Sequence, residues 1–291
     1  MVEAGDKRQR LASGLRGGSP IVAIGAHDAM SARLAGGYGF DVVWVSGFGV
    51  SAMTYGIPDL NLVTMTEALD AARRMDAVTE LPVLADCDNG FGGLNNVVRT
   101  VLEYERAGIA GICIEDNLFP KRNSLYRGQS KRELIPPGEQ ARRIAAGKAA
   151  QRTENFTIIA RVEALIAGYG VDDAIDRSEQ YAEAGADAIL IHSRDKTLSE
   201  IESFLERWSG VVPLVVVPTL FPDFTVEQLG EMGISLVIFA NHPMRASVQA
   251  MEEVMGILRD KRNAAAADEV IAPVDHIFSL VGTKEAIAAE E

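Results

Sequence analysis

Short apolar runs rich in β-branched residues recur along the chain, separated by longer stretches with helical spacing. The runs are Ile21–Gly25, Val42–Val45, Val83–Ala85, Ile112–Ile114, Thr157–Ala160, Ala188–Ile191, Leu214–Val217 and Leu236–Phe239. Helical patterns alternate with them at Ala29–Ala35, Thr66–Ala77, Leu94–Ala107, Gly138–Arg152, Val171–Ala184, Ser199–Trp208, Thr225–Met232 and Met244–Lys261. A strand that is apolar throughout is buried on both faces, which predicts a parallel sheet covered by helices. Such strand-helix units in this length predict an α/β fold, a (β/α)8 TIM-like barrel, with an extra helix before it at Asp6–Leu15. A doubly wound sheet is the alternative, but no Gly-rich nucleotide fingerprint comes after the first strand.

The residues at the end of each run favour the barrel. They are Ala26-His27-Asp28, Ser46-Gly47, Asp86-Cys87-Asp88, Glu115-Asp116, Arg161-Val162-Glu163, His192-Ser193-Arg194, Pro218-Thr219 and Asn241-His242. A barrel gathers these ends around one mouth, where active sites of this fold lie, whereas an open sheet spreads them along an edge. Two connections, 47–65 and 116–136, exceed the usual few residues, as lids and binding loops do. The expected organisation is one barrel domain over 1–291, a lid at about 116–136 and a C-terminal tail from about 263 that carries an apolar patch, Val274–Val281.

Composition narrows the partners. The 291 residues are 47% hydrophobic and carry a formal charge of −13, which opposes binding to nucleic acid or anionic membranes. An anionic substrate therefore needs a local cation or a metal ion. Cys87 and Cys113 both fall in apolar runs and read as reduced core thiols. The polar N-terminus lacks the apolar core of a secretion signal, and no stretch reaches the length of a membrane span, so a cytoplasmic location is expected.

The candidate chemistry lies at the strand ends. Asp86, Asp88 and Glu115 should face one another, and converging carboxylates repel unless a cation neutralises them. Oxygen-only donors suit Mg²⁺ or Mn²⁺. Arg161 and His192 end the next two strands, where an Arg suits phosphate or carboxylate and a His can donate to the same anion. The stretch Glu115–Ser124, EDNLFPKRNS, is too rich in polar groups for a structural loop and reads as half of an active site with a mobile second part. His27 and His242 read as loop-orienting groups, and His276 lies far from any strand end. These residues point to metal-assisted chemistry on a small anionic acid.

At these positions the chain resembles the phosphoenolpyruvate mutase/isocitrate lyase superfamily, over nearly all of Gly25 to about Ala250. The motifs are Ala26-His27, Trp44-Val-Ser-Gly47, Pro58-Asp59, Ala85-Asp86-Cys-Asp88, Glu115-Asp116, Phe119-Pro-Lys-Arg-Asn-Ser124, Ile159-Ala-Arg-Val-Glu163 and Asn241-His242. In lyases of this superfamily the lid reads Lys-Lys/Arg-Cys-Gly-His, with the Cys as acid-base residue. Here the slot reads Lys121-Arg122-Asn123-Ser124, which matches the mutase branch, whereas phosphonopyruvate hydrolases place a Thr at the Asn123 position.

The resemblance implies interconversion of phosphoenolpyruvate and 3-phosphonopyruvate, a P–C bond-forming isomerase step of phosphonate biosynthesis. It implies Mg²⁺ at Asp86, with Asp88 and Glu115 holding its waters. Ser46, Gly47 and Phe48 would hold the carboxylate end of the substrate. Arg161, His192 and Asn123 would clamp the phosphoryl group, with Lys121 and Ser124 closing the lid and Asp59 near the substrate. Phosphonopyruvate hydrolysis and C–C lysis of an oxaloacetate- or 2-methylisocitrate-like acid are the alternatives. Two positions depart from the mutase pattern: Asn117 replaces a Lys and Asn89 a Thr. Members of the superfamily also pair by exchanging the helix after the eighth strand, so Met244–Lys261 is expected to be swapped in a homodimer or homotetramer.

Overall fold

The computed structural model describes residues 4–126, 132–210 and 212–290. Its eight strands form a closed barrel in sequence order, every neighbouring pair parallel. They are β1 (Ile21–Ala26), β2 (Val42–Val45), β3 (Val83–Asp86), β4 (Gly111–Glu115), β5 (Thr157–Val162), β6 (Ala188–Ile191), β7 (Leu214–Val216) and β8 (Ile234–Phe239). The expected fold class is the one observed, and the predicted runs locate all eight strands to within a few residues.

Alternation along the strands decides what enters the barrel. Val42 and Trp44 of β2, Leu84 of β3, Cys113 of β4, Ile159 of β5 and Leu190 of β6 share one buried cluster with Leu11 and Leu15 of the N-terminal helix. Their neighbours Val43, Val83, Ala85, Ile112, Ile114 and Ile158 pack outward against helices Met65–Asp76 and Leu94–Arg106. Side chains alternate faces with period two, so the next inward positions after this core layer are Ser46, Asp86, Glu115, Arg161 and His192. The polar ring at the mouth is thus a consequence of register. At Gly25 a Cβ would stand 2.0 Å from the Ala240 carbonyl oxygen, so only glycine allows β1 to approach the end of β8.

The helix Ala4–Arg16 belongs to the opposite end. Lys7 Nζ donates to the Thr79 carbonyl (2.8 Å) and pairs with Asp76 (2.9 Å), and Arg8 Nε donates to the Ile109 carbonyl (3.1 Å), just before β3 and β4 begin. The segment 47–65, expected to be a loop, instead opens with a helical turn over Gly47–Gly49 that continues as a π-helical stretch to Thr54. The Ser46 hydroxyl caps it by accepting from the Gly49 amide at 3.0 Å, and buried Val50 anchors it. Its glycines hide this helix from a propensity reading, because packing and the cap outweigh them.

Two compact units divide the chain, Met1–Asn241 and His242–Glu291. The first is the barrel. The second comprises helices His242–Lys261, Val274–Val281 and Thr283–Ala288 with a 3-10 turn between, and the tail patch Val274–Val281 is therefore helical. No described helix is long and apolar enough to cross a membrane.

Candidate active site

A cavity of ≈ 60 Å³ opens at the C-terminal mouth of the barrel, about the room of a few waters. Its wall includes Ser46, Phe48, Asp59, Asp86, Glu115, Lys121, Asn123, Ser124, Arg161 and His192, so one space collects most of the residues singled out in the sequence. Trp44, Val217 and Ala240 give it an apolar side. Gly47 lies beside it, where a Cβ would stand 3.2 Å from Asp86 Oδ2 and 3.4 Å from Asp88 Oδ1; its missing side chain leaves that space open.

One corner is built for an anion. Arg161 Nε donates to Glu163 Oε1 at 2.6 Å, and its Nη2 reaches Ser124 Oγ and His192 Nδ1, both at 2.8 Å. Ser124 Oγ in turn donates to Glu163 Oε2 at 2.6 Å. Burial would push the Glu163 carboxyl up, but Arg161, His192 and Ser124 outweigh it and hold the group well below the usual range. His192 is held below its ordinary value, first by burial and then by Arg161. His192 Nδ1 lies 2.8 Å from Arg161 Nη2 and 3.2 Å from Glu163 Oε1, and its buried Nε2 has no hydrogen-bond partner among the described residues. Arg161 and His192 thus put a guanidinium and an imidazole on one wall of the cavity, groups whose chemistry suits an anion.

The other side is acidic. Lys121 is 3% exposed; its Nζ lies 2.9 Å from Asp59 Oδ1 and also pairs with Asp88 Oδ1. Burial opposes its charge, yet Asp88 and Asp59 raise it well above the ordinary lysine value. Asn123 Nδ2 donates to Asp59 Oδ2 at 2.8 Å, so Asp59 holds two lid side chains at once. Asp59, Asp86, Asp88, Glu115 and Glu163 outnumber Lys121 and Arg161 around the cavity. Glu115 is pushed up to about 8 and Asp88 to about 6, in both cases chiefly by burial and further by neighbouring carboxylates.

That surplus is what a divalent cation would neutralise. Glu115 Oε1 is buried without a hydrogen-bond partner, Asp86 lines the cavity, and the donors are all oxygen, which fits a hard cation such as Mg²⁺. Among the described residues no group of three or more acidic, His or Cys side chains stands close enough together to hold a metal ion as placed here.

Two arginines hold the described part of the expected lid against this site. Arg132 donates from Nη1 to the Arg122 carbonyl (3.0 Å) and from Nη2 to that of Asn123 (2.6 Å). Arg194 donates to the Ser124 carbonyl (3.1 and 3.0 Å) and to that of Tyr126 (3.1 Å). The part of the expected lid at 127–131 lies outside the described residues. At the lid's root, Asp116 accepts from the Glu163 amide (2.9 Å), Tyr181 Oη (2.8 Å) and Arg177 (3.1 Å).

Arg132, Arg194, Asn61 and the hub role of Glu163 carry no clear signal in the sequence, although Glu163 and Arg194 stand in strand-end motifs. Asn117 is buried with its amide nitrogen unpartnered, and Asn89 reaches its carbonyl at 3.4 Å, so the two departures from the mutase pattern touch each other. Asn241 donates to Thr219 Oγ1 (3.3 Å) on the cavity wall. His27 is buried beside Gly49, and the two cysteines are free and buried.

Fold and site together define a (β/α)8 barrel whose C-terminal mouth carries a cavity lined by carboxylates, Lys121, Arg161 and His192. The family model described as phosphoenolpyruvate phosphomutase matches residues 11–259. The chain belongs to the phosphoenolpyruvate mutase/isocitrate lyase superfamily. It is 41% identical to a phosphonopyruvate hydrolase of Variovorax sp. (strain Pal2) over 98% of both chains. The crystal structure of a phosphoenolpyruvate phosphomutase from Streptomyces platensis subsp. rosaceus superposes with TM-score 0.94 at 41% identity, covering 97% of this chain and 98% of that one. A phosphonopyruvate hydrolase in complex with oxalate and Mg²⁺ superposes with TM-score 0.91 at 40% identity, over 98% of each chain.

Proposed function

We propose that this enzyme is a phosphoenolpyruvate mutase, interconverting phosphoenolpyruvate and 3-phosphonopyruvate for phosphonate biosynthesis. The observation that carries the reading is Asn123, an amide in the lid slot, held by Asp59 at 2.8 Å and lining the cavity beside Arg161 and His192. A carboxamide can donate to a phosphoryl oxygen but cannot deliver a nucleophile or take a proton. Lyase chemistry is disfavoured for the same reason. The lid carries no thiol, and Cys87 and Cys113 are buried with their thiols pushed well up, first by that burial.

In this reading Arg161, His192 Nε2–H and Asn123 bind the phosphoryl oxygens. The Ser46 hydroxyl, with the backbone amides of Gly47 and Phe48, holds the carboxylate end. Asp86, Asp88 and Glu115 hold Mg²⁺ and its waters. When bound, the ion supplies charge neutralisation for the carboxylate and enolate oxygens. The C–P bond breaks with its electron pair passing to carbon as an enolate, and the phosphoryl group is captured by the enolate oxygen; the reverse reaction makes the P–C bond. Such a transfer needs positioning and electrostatic stabilisation rather than acid-base work. Lys121 and Ser124 close the lid, which excludes the water that would intercept the phosphoryl group.

The second reading is phosphonopyruvate hydrolase, favoured by the relative of that activity that matches across the full chain. Incubation with phosphonopyruvate and Mg²⁺, with pyruvate assayed directly and phosphoenolpyruvate through pyruvate kinase, separates the two. The mutase gives phosphoenolpyruvate before any pyruvate, whereas pyruvate and phosphate without it would overturn the proposal.

We also propose that the enzyme works as a homodimer or homotetramer, paired through the helix His242–Lys261. That helix exposes Val248, Met251, Met255 and Leu258 at helical spacing. An apolar row of this kind is normally covered.

A further inference from the structure

Asn61 lies in the long second loop with φ 58, a left-handed conformation that Asn tolerates better than most residues. Its side chain bridges three segments. Oδ1 accepts from the Lys121 backbone amide at 2.5 Å, and Nδ2 donates to Asp88 Oδ2 at 2.9 Å. Asn89 exchanges weaker contacts with it at 3.4 and 3.5 Å. The chemistry fixes which end is which: a backbone N–H can only donate, and a charged carboxylate can only accept. Asn61 is thus a two-ended connector, its oxygen on the lid and its nitrogen on the acidic cluster. Asp59, two residues earlier, takes the Lys121 and Asn123 side chains on the same lid turn.

We propose that Asn61 is a positioning residue that couples lid closure to the arrangement of the acidic cluster. The oxygen is the docking point for the lid backbone at Lys121. The nitrogen fixes the Asp88 carboxylate so that its other oxygen faces Lys121 Nζ. Closure and cation binding then reinforce each other, because the lid amide and Asp88 share one side chain. The inference rests on the reading of 121–124 as a lid over the ligand, and holds for either mutase or hydrolase chemistry.

Two substitutions separate the two ends. Asn61→Gly removes both while accepting the left-handed backbone. Asn61→Asp keeps the oxygen for Lys121 and replaces the donor to Asp88 with a repelling carboxylate. Limited trypsin digestion at the exposed Arg122, followed by mass spectrometry with and without Mg²⁺ and oxalate, reads closure without reference to turnover. Isothermal titration of Mg²⁺ in the presence of oxalate reads the acidic side.

Wild-type enzyme is expected to be protected at Arg122 by Mg²⁺-oxalate, and Asn61→Gly to lose about tenfold of that protection, as for one buried hydrogen bond. Asn61→Asp is expected to retain protection at saturating Mg²⁺ but to require a higher Mg²⁺ concentration for it. Protection of Asn61→Gly equal to wild type would overturn the proposal while leaving the lid intact. An unprotected wild type would remove the lid reading itself, and the proposal with it.

Discussion

Asn123 is the side chain on which the proposed mutase reading rests. In the proposed mechanism truncation to Ala removes a donor to the transferring group, and loss of one such donor costs roughly 100- to 1,000-fold in kcat. Steady-state turnover of phosphonopyruvate by Asn123→Ala is expected to fall in that range, with the fold unchanged by circular dichroism. His192 offers a second test. Its folded pKa lies below 6.5, so its contribution to stability is complete above that pH and is lost as the pH falls through the folded value. NMR of the ring protons should show a midpoint below 6.5, and Glu163→Gln should lower it further by removing a carboxylate that favours the charged ring. Asn123, Arg161 and His192 are legible because strand ends and a lid motif announce them. Glu163 and Asn61 are not, since their meaning lies in partners 39 and 60 residues away: Ser124 for the one, the Lys121 amide for the other.

The elements that matter most to the proposal are β4 and the expected lid that follows it. Asp116 ties the lid's root to β5 through the Glu163 amide and to helix Val171–Glu183 through Arg177 and Tyr181. Burial raises its carboxyl to about 6, against the pull of Arg177, so it is charged at neutral pH and its partners are set for an anion. Asp116→Asn should cost about 2 kcal/mol of stability at pH 7.5, the order expected for hydrogen bonds to a charged group. Urea denaturation measures it; a loss within experimental scatter of zero would mean that the root is held by packing alone. The eight strands and their helices are readable from apolar runs and spacing. The helix at 47–54 is not, because Gly47 and Gly49 argue against it locally and its cap, Ser46, reads from the sequence as a site residue. The grip of Arg132 and Arg194 on lid carbonyls is equally invisible there, since a backbone acceptor carries no sequence signature.

At the scale of the molecule, closing the sheet turns scattered strand ends into one acidic mouth with a cationic corner. Against the net charge of −13, that corner is the local positive site an anion would meet, joined in the proposed reading by a divalent ion. The exposed apolar row on His242–Lys261 bears on assembly. Sedimentation velocity is expected to give a dimer or tetramer, and Met251→Glu with Met255→Glu is expected to move it toward monomer; a wild-type monomer would refute the pairing. The central claim, that the phosphoryl group passes between carbon and oxygen of one substrate under a closed lid, has a direct readout in ³¹P NMR. With phosphonopyruvate, enzyme and Mg²⁺, the phosphonate resonance should decline as the phosphate-ester resonance of phosphoenolpyruvate grows, with inorganic phosphate absent at early times. Inorganic phosphate as the first and sole new resonance, or an unchanged spectrum, would contradict it.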